Sequence, residues 1–359
     1  MPCEAQCLLC AFLRAGLCMV CEARHCLCGV AGQGKSLTTK TKRRGRLMRA
    51  FVFPGQGAQA IGMGKALADA YPAARAIFDE VDDALAENLS GLIWEGEIDA
   101  LTLTANAQPA LMATSIAVMK ALEAEGVTVS AASFVAGHSL GEYSALAAAG
   151  AFSVADAARL LRARGNAMQD AVPVGVGAMA AILGLDLAAV QEVAAEAAQG
   201  EVCQAANDND PAQVVVSGHK AAVERAVEIA KAKGAKRALL LPVSAPFHCS
   251  LMGPAADAMA GALADVRINA PAVPVVANVV AEAVTDPEMI RALLVKQITG
   301  AVRWRESVMY MAAHGVTEVY EIGAGKALSG MVKRIDRDLT ATAISAPDDV
   351  VAVAAALHA

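Results

Sequence analysis

The chain has 359 residues and a formal net charge of −6, with 56% hydrophobic but only 4% aromatic residues. That is length for one large or two modest domains, and an apolar stock rich in Ala, Val and Leu suits helices packed on a buried parallel sheet. Charge is unevenly placed: residues 1–47 carry eight Lys/Arg and two Asp/Glu, which leaves the remainder at a net −12, an acidic body that excludes nucleic acid as the partner.

No stretch is long and uncharged enough to span a membrane. Seven of the nine cysteines precede residue 29, leaving Cys203 and Cys249 in the body, the usage of a reduced, cytoplasmic protein. Residues 1–47 differ in composition from the rest of the chain. CLLC at 7–10 and CMVC at 18–21 could each supply half a tetrahedral zinc site, but the gap between them is short and apolar, so no metal is expected. GVAGQGKS at 29–36 fits G-x-x-x-x-G-K-S, yet a Cys-rich run precedes it and the basic LTTKTKRRGR comes after it, not the strand and helix a phosphate-binding loop needs. The segment is basic and poor in acids, as a cleaved targeting segment would be. The expectation for 1–47 is a disordered extension, with the true start at Met48.

Arg49 to Phe53 reads as a strand ending in Pro54-Gly55-Gln56-Gly57, a loop that would deliver a donor to the C-terminal edge of a parallel sheet. Helical patterns follow at 64–71, 73–86 and 108–125. Ser133 to Ala136 is a short buried strand, Leu140 to Ala149 a helix, and between them Gly137-His138-Ser139-Leu140-Gly141 matches G-x-S-x-G. On such a turn the serine hydroxyl is lifted from the sheet and faces a helix N-terminus, so Ser139 is the candidate nucleophile. In the next helix, 154–172, Arg164 lies beside the apolar face set by Leu160, Leu161 and Met168. It requires an anion: spacing leaves a structural Asp or Glu and a substrate carboxylate equally open.

Residues 177–241 alternate as β-α-β-β-α-β, the ferredoxin-like pattern, with Asn207 to Gln213 as its hairpin loop. The chain then reaches Pro242-Val243-Ser244-Ala245-Pro246-Phe247-His248, where a loop histidine past a strand can be aimed into a cleft as a base. Helices to about 264, 287–298 and 304–314, a strand at 274–278, and a last strand–loop–helix at 318–335 complete the reading. Its Gly323-Ala324-Gly325-Lys326 turn lacks the rest of a dinucleotide fingerprint.

Taken together, FVFPGQGAQ, GHSLGEYSAL, ARGNAMQ, GAMAAILG, NDNDPAQVVVSG, PVSAPFH and YEIGAGKALSGMVKR, in this order from Met48 onward, resemble the malonyl-CoA:acyl-carrier-protein transacylases, the malonyltransferases of fatty-acid synthesis. The resemblance implies an α/β-hydrolase-like parallel-sheet core, residues 48–173 and 242–359, with an inserted ferredoxin-like small domain at 174–241. It implies Ser139 as nucleophile, His248 as base, Gln56 and Leu140 at the oxyanion hole, Arg164 on the malonyl carboxylate, and the Gln297 main-chain carbonyl orienting the histidine. The partners implied are malonyl-CoA and acyl carrier protein, whose phosphopantetheine accepts the acyl group, with no cofactor or metal of the protein's own, in a monomer. Lys333 and Arg334 are the candidate basic patch for the acidic carrier. Ala324 departs from the proline many relatives carry there. The rivals are a serine hydrolase, whose order Ser, acid, His would draw on Asp186, Asp208 or Asp210, and a non-catalytic carrier-docking module.

Overall fold

A computed structural model describes residues 48–358; the expectations for residues 1–47 lie outside them. The strands are β1 (Met48–Phe53), β2 (Phe134–Gly137), β3 (Gly177–Leu183), β4 (Cys203–Asp210), β5 (Gln213–His219), β6 (Arg237–Leu240), β7 (Val275–Ala277), β8 (Glu282–Val284), β9 (Val316–Ile322) and β10 (Thr340–Ile344). They form a six-stranded sheet of order β10-β9-β1-β2-β7-β8 and a four-stranded sheet of order β4-β5-β3-β6. The large sheet is parallel except for the edge strand β8. Its centre, Ala50 to Phe53, is wholly buried, as a parallel strand covered on both faces must be. Both β1 and β2 therefore end, at Phe53 and Gly137, on the same edge.

The helix Thr104–Ala124 is buried along most of its length. Apolar spacing in the sequence places its start at Gln108, but the helix begins four residues earlier, with Pro109 inside it. Pro109 has no N–H for the Ala105 carbonyl. The Arg162 guanidinium from the neighbouring helix Val154–Asp170 donates to that carbonyl instead, at 2.6 Å, which removes the cost of the missing bond.

The small sheet is antiparallel throughout and its strand order is that of a ferredoxin-like β-α-β-β-α-β unit. Helices Leu187–Ala198 and Lys220–Ala232 cover one face with a core that includes Ile182, Val190, Val214 and Val223. Met179, Ala181 and Val215 on the other face join the main core. The hairpin expected at Asn207 to Gln213 is corrected: β4 continues to Asp210 and only Pro211 and Ala212 turn. A polar run becomes a buried strand because each acid has a cation. Asp208 pairs with Arg305 at 2.9 Å and Asp210 with Arg334 at 2.8 Å, and the Asp208 N–H donates to the Val302 carbonyl. Strand β10 and the terminal helix Pro347–His358 are elements the sequence reading does not contain.

Candidate active site

Ser139 sits on the turn between β2 and the helix Gly141–Ala148, with φ of 55°, a left-handed backbone costly for a residue with a Cβ. The flanking glycines are what the turn requires. A Cβ on Gly137 would lie 1.9 Å from the Gly141 carbonyl carbon, and one on Gly141 2.2 Å from the Phe53 oxygen. Asn278, just past β7, holds the turn from below: its side-chain oxygen accepts the Ser139 N–H at 2.8 Å and its amide donates to the Gly137 carbonyl at 2.7 Å.

His248 approaches from the loop after β6. Its Nδ1 faces the main-chain carbonyls of Gln297 at 2.9 Å and Gly300 at 3.2 Å. Carbonyls only accept, so Nδ1 carries the hydrogen, and Nε2 is left to accept the Ser139 hydroxyl at 2.7 Å. Burial and the neighbouring Arg164 charge push the imidazole down to about 3, which leaves it neutral at physiological pH. The three acids a hydrolase triad would draw on are engaged elsewhere: Asp186 caps the helix Leu187–Ala198 through the Ala189 N–H, and Asp208 and Asp210 hold their arginines.

Arg164 is buried, 2% exposed. It reaches the site because helices Val154–Asp170 and Thr104–Ala124 meet closely: a Cβ on Gly165 would lie 2.5 Å from the Ala105 Cα. One guanidinium nitrogen, Nη1, donates to Gln108 Oε1 at 2.7 Å. The other, Nη2, donates to Gln297 Oε1 at 2.9 Å and to Ser139 Oγ at 3.2 Å. Its Nε has no hydrogen-bond partner. No Asp or Glu forms an ion pair with it among the described residues; the charge nearest in the network is Glu142, whose Oε2 accepts from Gln297 Nε2 at 2.8 Å and from the Asn278 N–H at 3.0 Å. Burial pushes the Glu142 carboxyl up to about 7, against those two hydrogen bonds and the Arg164 charge.

Gln56 and Leu140 line the same cavity of about 520 Å³ as Ser139, Arg164, Phe247 and His248. The main-chain N–H groups of Gln56 and Leu140 make no hydrogen bond among the described residues, and the Gln56 side chain is fixed by Thr104 Oγ1 at 2.9 Å. Gln297 lies beneath the cavity, fully buried. The six residues singled out in the sequence thus converge. Gln108, Glu142 and Asn278 were missed; Gln108 and Asn278 are polar residues beside apolar runs, a signal that could have found them, since burial demands partners, whereas Glu142 lies in the polar stretch His138 to Ser144 and carries no such signal.

The two residues of the candidate carrier patch have different surroundings. Arg334 is held by buried Asp210, and Lys333 borders a separate groove with Arg337 and Leu339, whereas Ala327, Leu328 and Met331 of the same helix line the site. Among the described residues no cluster of three His, Cys, Asp or Glu could hold a metal ion, and no helix is long and apolar enough to cross a membrane.

Residues 50–345 match the acyl transferase domain family. The chain is 50% identical over 309 residues to the malonyl CoA-acyl carrier protein transacylase of Escherichia coli (strain K12), covering 86% of this chain and 98% of that protein. The acyl-carrier-protein-S-malonyltransferase of Bartonella henselae superposes with a TM-score of 0.85 at 55% identity, covering 87% of this chain and all of that one. A malonyl-transacylase solved in complex with a type II polyketide acyl-carrier protein superposes at 0.84 with 43% identity, over 86% and 99% of the two chains. A serine and a histidine without a carboxylate, on an acyl transferase fold shared nearly end to end with these enzymes, leave one conclusion: the chain belongs to the malonyl-CoA–acyl carrier protein transacylase family.

Proposed function

We propose that this chain transfers the malonyl group from malonyl-CoA to the phosphopantetheine thiol of acyl carrier protein by a ping-pong route through a malonyl ester of Ser139. The observation that carries the reading is the Ser139 hydroxyl itself, which lies within hydrogen-bond reach of both the His248 Nε2 and the Arg164 Nη2: base and carboxylate anchor meet at one nucleophile.

Ser139 Oγ attacks the thioester carbonyl while His248 Nε2 takes its proton, and the imidazolium is held by the Gln297 carbonyl through Nδ1. The oxyanion is received by the free N–H groups of Leu140 and Gln56; one such donor is worth about 3 kcal/mol of barrier. The C–S bond breaks, and the CoA sulfur leaves with the proton from His248. The malonyl carboxylate rests on Arg164 through Nε and Nη, whose buried positive charge no ion pair has spent. The carrier thiol then gives its proton to His248 and attacks the same carbonyl; the Ser139 ester bond breaks, and the serine recovers its proton. These residues need no metal or cofactor in any step.

The test is intact-mass measurement after mixing with malonyl-CoA alone. The wild-type protein gains one malonyl group, lost again on adding carrier protein. Ser139→Ala gains none while melting normally. A full adduct on that variant refutes the assignment.

A further inference from the structure

Glu142 is a buried carboxylate that the transfer chemistry leaves unused. It stands at the head of the helix behind Ser139, but its Oε2 does not cap that helix: it accepts from Gln297 Nε2 and from the Asn278 N–H. Gln297 is the hub of the site. Its main-chain carbonyl faces His248 Nδ1, its Oε1 accepts from Arg164 Nη2, and its Nε2 also reaches the Ser139 carbonyl at 3.1 Å. The two ends of a carboxamide have nearly the same shape, so its facing is set by its partners. Arg164 only donates, and Glu142 Oε2, which already accepts the Asn278 N–H, meets Gln297 as an acceptor. The carboxylate therefore draws Nε2 to itself and turns Oε1 toward the guanidinium.

The spacing has a second consequence. A direct Glu–Arg pair would occupy the donors a substrate carboxylate needs. One amide removed, the carboxylate orients Arg164 while its Nε–H stays free. We propose that Glu142 is the positioning residue that, through Gln297, presents Arg164 to the acyl group and so helps set the preference for a carboxylated substrate. This rests on the reading of Arg164 as the malonyl anchor.

The experiment measures kcat/KM for acyl loading from malonyl-CoA and from acetyl-CoA on Glu142→Ala, Glu142→Gln, Gln297→Met, the Glu142→Ala/Gln297→Met double variant and Arg164→Ala, with melting curves for each. Glu142→Ala lowers malonyl loading about thirtyfold, the scale of one charge-assisted hydrogen bond, with acetyl loading unchanged. Glu142→Gln keeps an oxygen that can accept both bonds and recovers to within about fivefold of wild type. Gln297→Met retains the carbonyl that orients His248 but loses the relay; it reproduces the loss of preference, and the double variant is no worse, because both act along one path. Equal losses for both acyl groups in Glu142→Ala, a Glu142→Gln as poor as the alanine, or additive losses in the double variant overturn the proposal. If Glu142→Ala does not fold, Glu142→Gln and Gln297→Met decide. If Arg164→Ala keeps the wild-type preference, the anchor reading itself fails; if it abolishes the preference while Gln297→Met and Glu142→Ala retain it, only the role of Glu142 falls.

Discussion

Replacing Arg164 with alanine separates the part of the site that recognises the carboxylate from the part that does the chemistry. In the free protein, two of the guanidinium's acceptors are amide oxygens, Gln108 Oε1 and Gln297 Oε1, and a third contact is the Ser139 hydroxyl. The cation is therefore partly satisfied before substrate arrives. An acetyl group thus does not leave this arginine stranded; it is disfavoured by a missing gain. The gain is two charge-assisted bonds to the carboxylate, about 1.5–3 kcal/mol each, less the cost of desolvating that carboxylate. A net of about 3–4 kcal/mol corresponds to a loss of about two to three orders of magnitude in kcat/KM for malonyl-CoA.

Acetyl loading, which makes no such bonds, should change little, so the variant's preference collapses toward unity. Alanine also strands the two glutamine oxygens, removes the contact to the Ser139 hydroxyl and opens a void, which lowers the melting temperature. A further consequence can be checked in the same experiment. The Arg164 charge is one of the influences holding His248 low, so in the variant the acid limb of acetyl loading moves to higher pH. The assay is release of CoA from each thioester as a function of pH on wild type and variant. A variant that keeps the wild-type order of preference shows that Arg164 serves only the fold.

In wild type, acyl loading should stay flat below the ordinary imidazole range, because His248, lowered from 6.5 to about 3, remains an unprotonated base; an acid limb near 6.5 would refute its buried environment. Stability carries the matching sign: the unfolded chain binds the His248 proton first, so stability is lost as pH falls from 6.5 toward 3, while Glu142, raised from 4.5 to about 7, works the other way and subtracts stability as pH rises across that interval. Denaturant midpoints measured from pH 4 to 8 read the balance. Gly165→Ala forces the Arg164 helix away from Ala105 and should cost about 1–3 kcal/mol, seen as a lower melting temperature with weakened malonyl loading. Arg334→Glu sets two acids against each other at Asp210 and should destabilise the protein, whereas Lys333→Glu breaks no ion pair and should leave stability unchanged while raising the KM for carrier protein; an unchanged KM in Lys333→Glu would remove it from the docking surface.

The fold was legible where local pattern and burial agree. The strand–GHSLG–helix turn needs glycines at 137 and 141 for steric reasons that a sequence displays, and the four strands and two helices of the ferredoxin-like unit alternate cleanly between periods of two and 3.6. The reading failed where a distant partner overrides a local rule. Pro109 marks a helix start only if the Ala105 carbonyl has no other donor, and Arg162 supplies one. The run Asn207 to Asp210 is a loop by composition and a strand because Arg305 and Arg334 arrive from about a hundred residues further on. Strand β10 has half-buried alternation at an edge, and its Thr-Ala-Thr-Ala pattern is too weak to separate from a loop.

The same division runs through the site. Ser139, His248 and Arg164 announce themselves by residue type, because few side chains can be a nucleophile, a base or a carboxylate fork. Gln108, Glu142 and Asn278 do not. Their types are ordinary on a surface, and Glu142 in a first helical turn reads as a routine complement to the helix dipole. Their roles exist only through pairings of long sequence separation: 155 residues from Glu142 to Gln297, 139 from Asn278 to Ser139, 56 from Gln108 to Arg164. Burial turns these polar residues from optional to obligatory, since each unpaired group would cost about 1–3 kcal/mol. For Gln108 and Asn278, a polar residue beside an apolar run is then the one trace such a network leaves in a sequence. It says that a partner must exist, and only the fold says which residue that partner is.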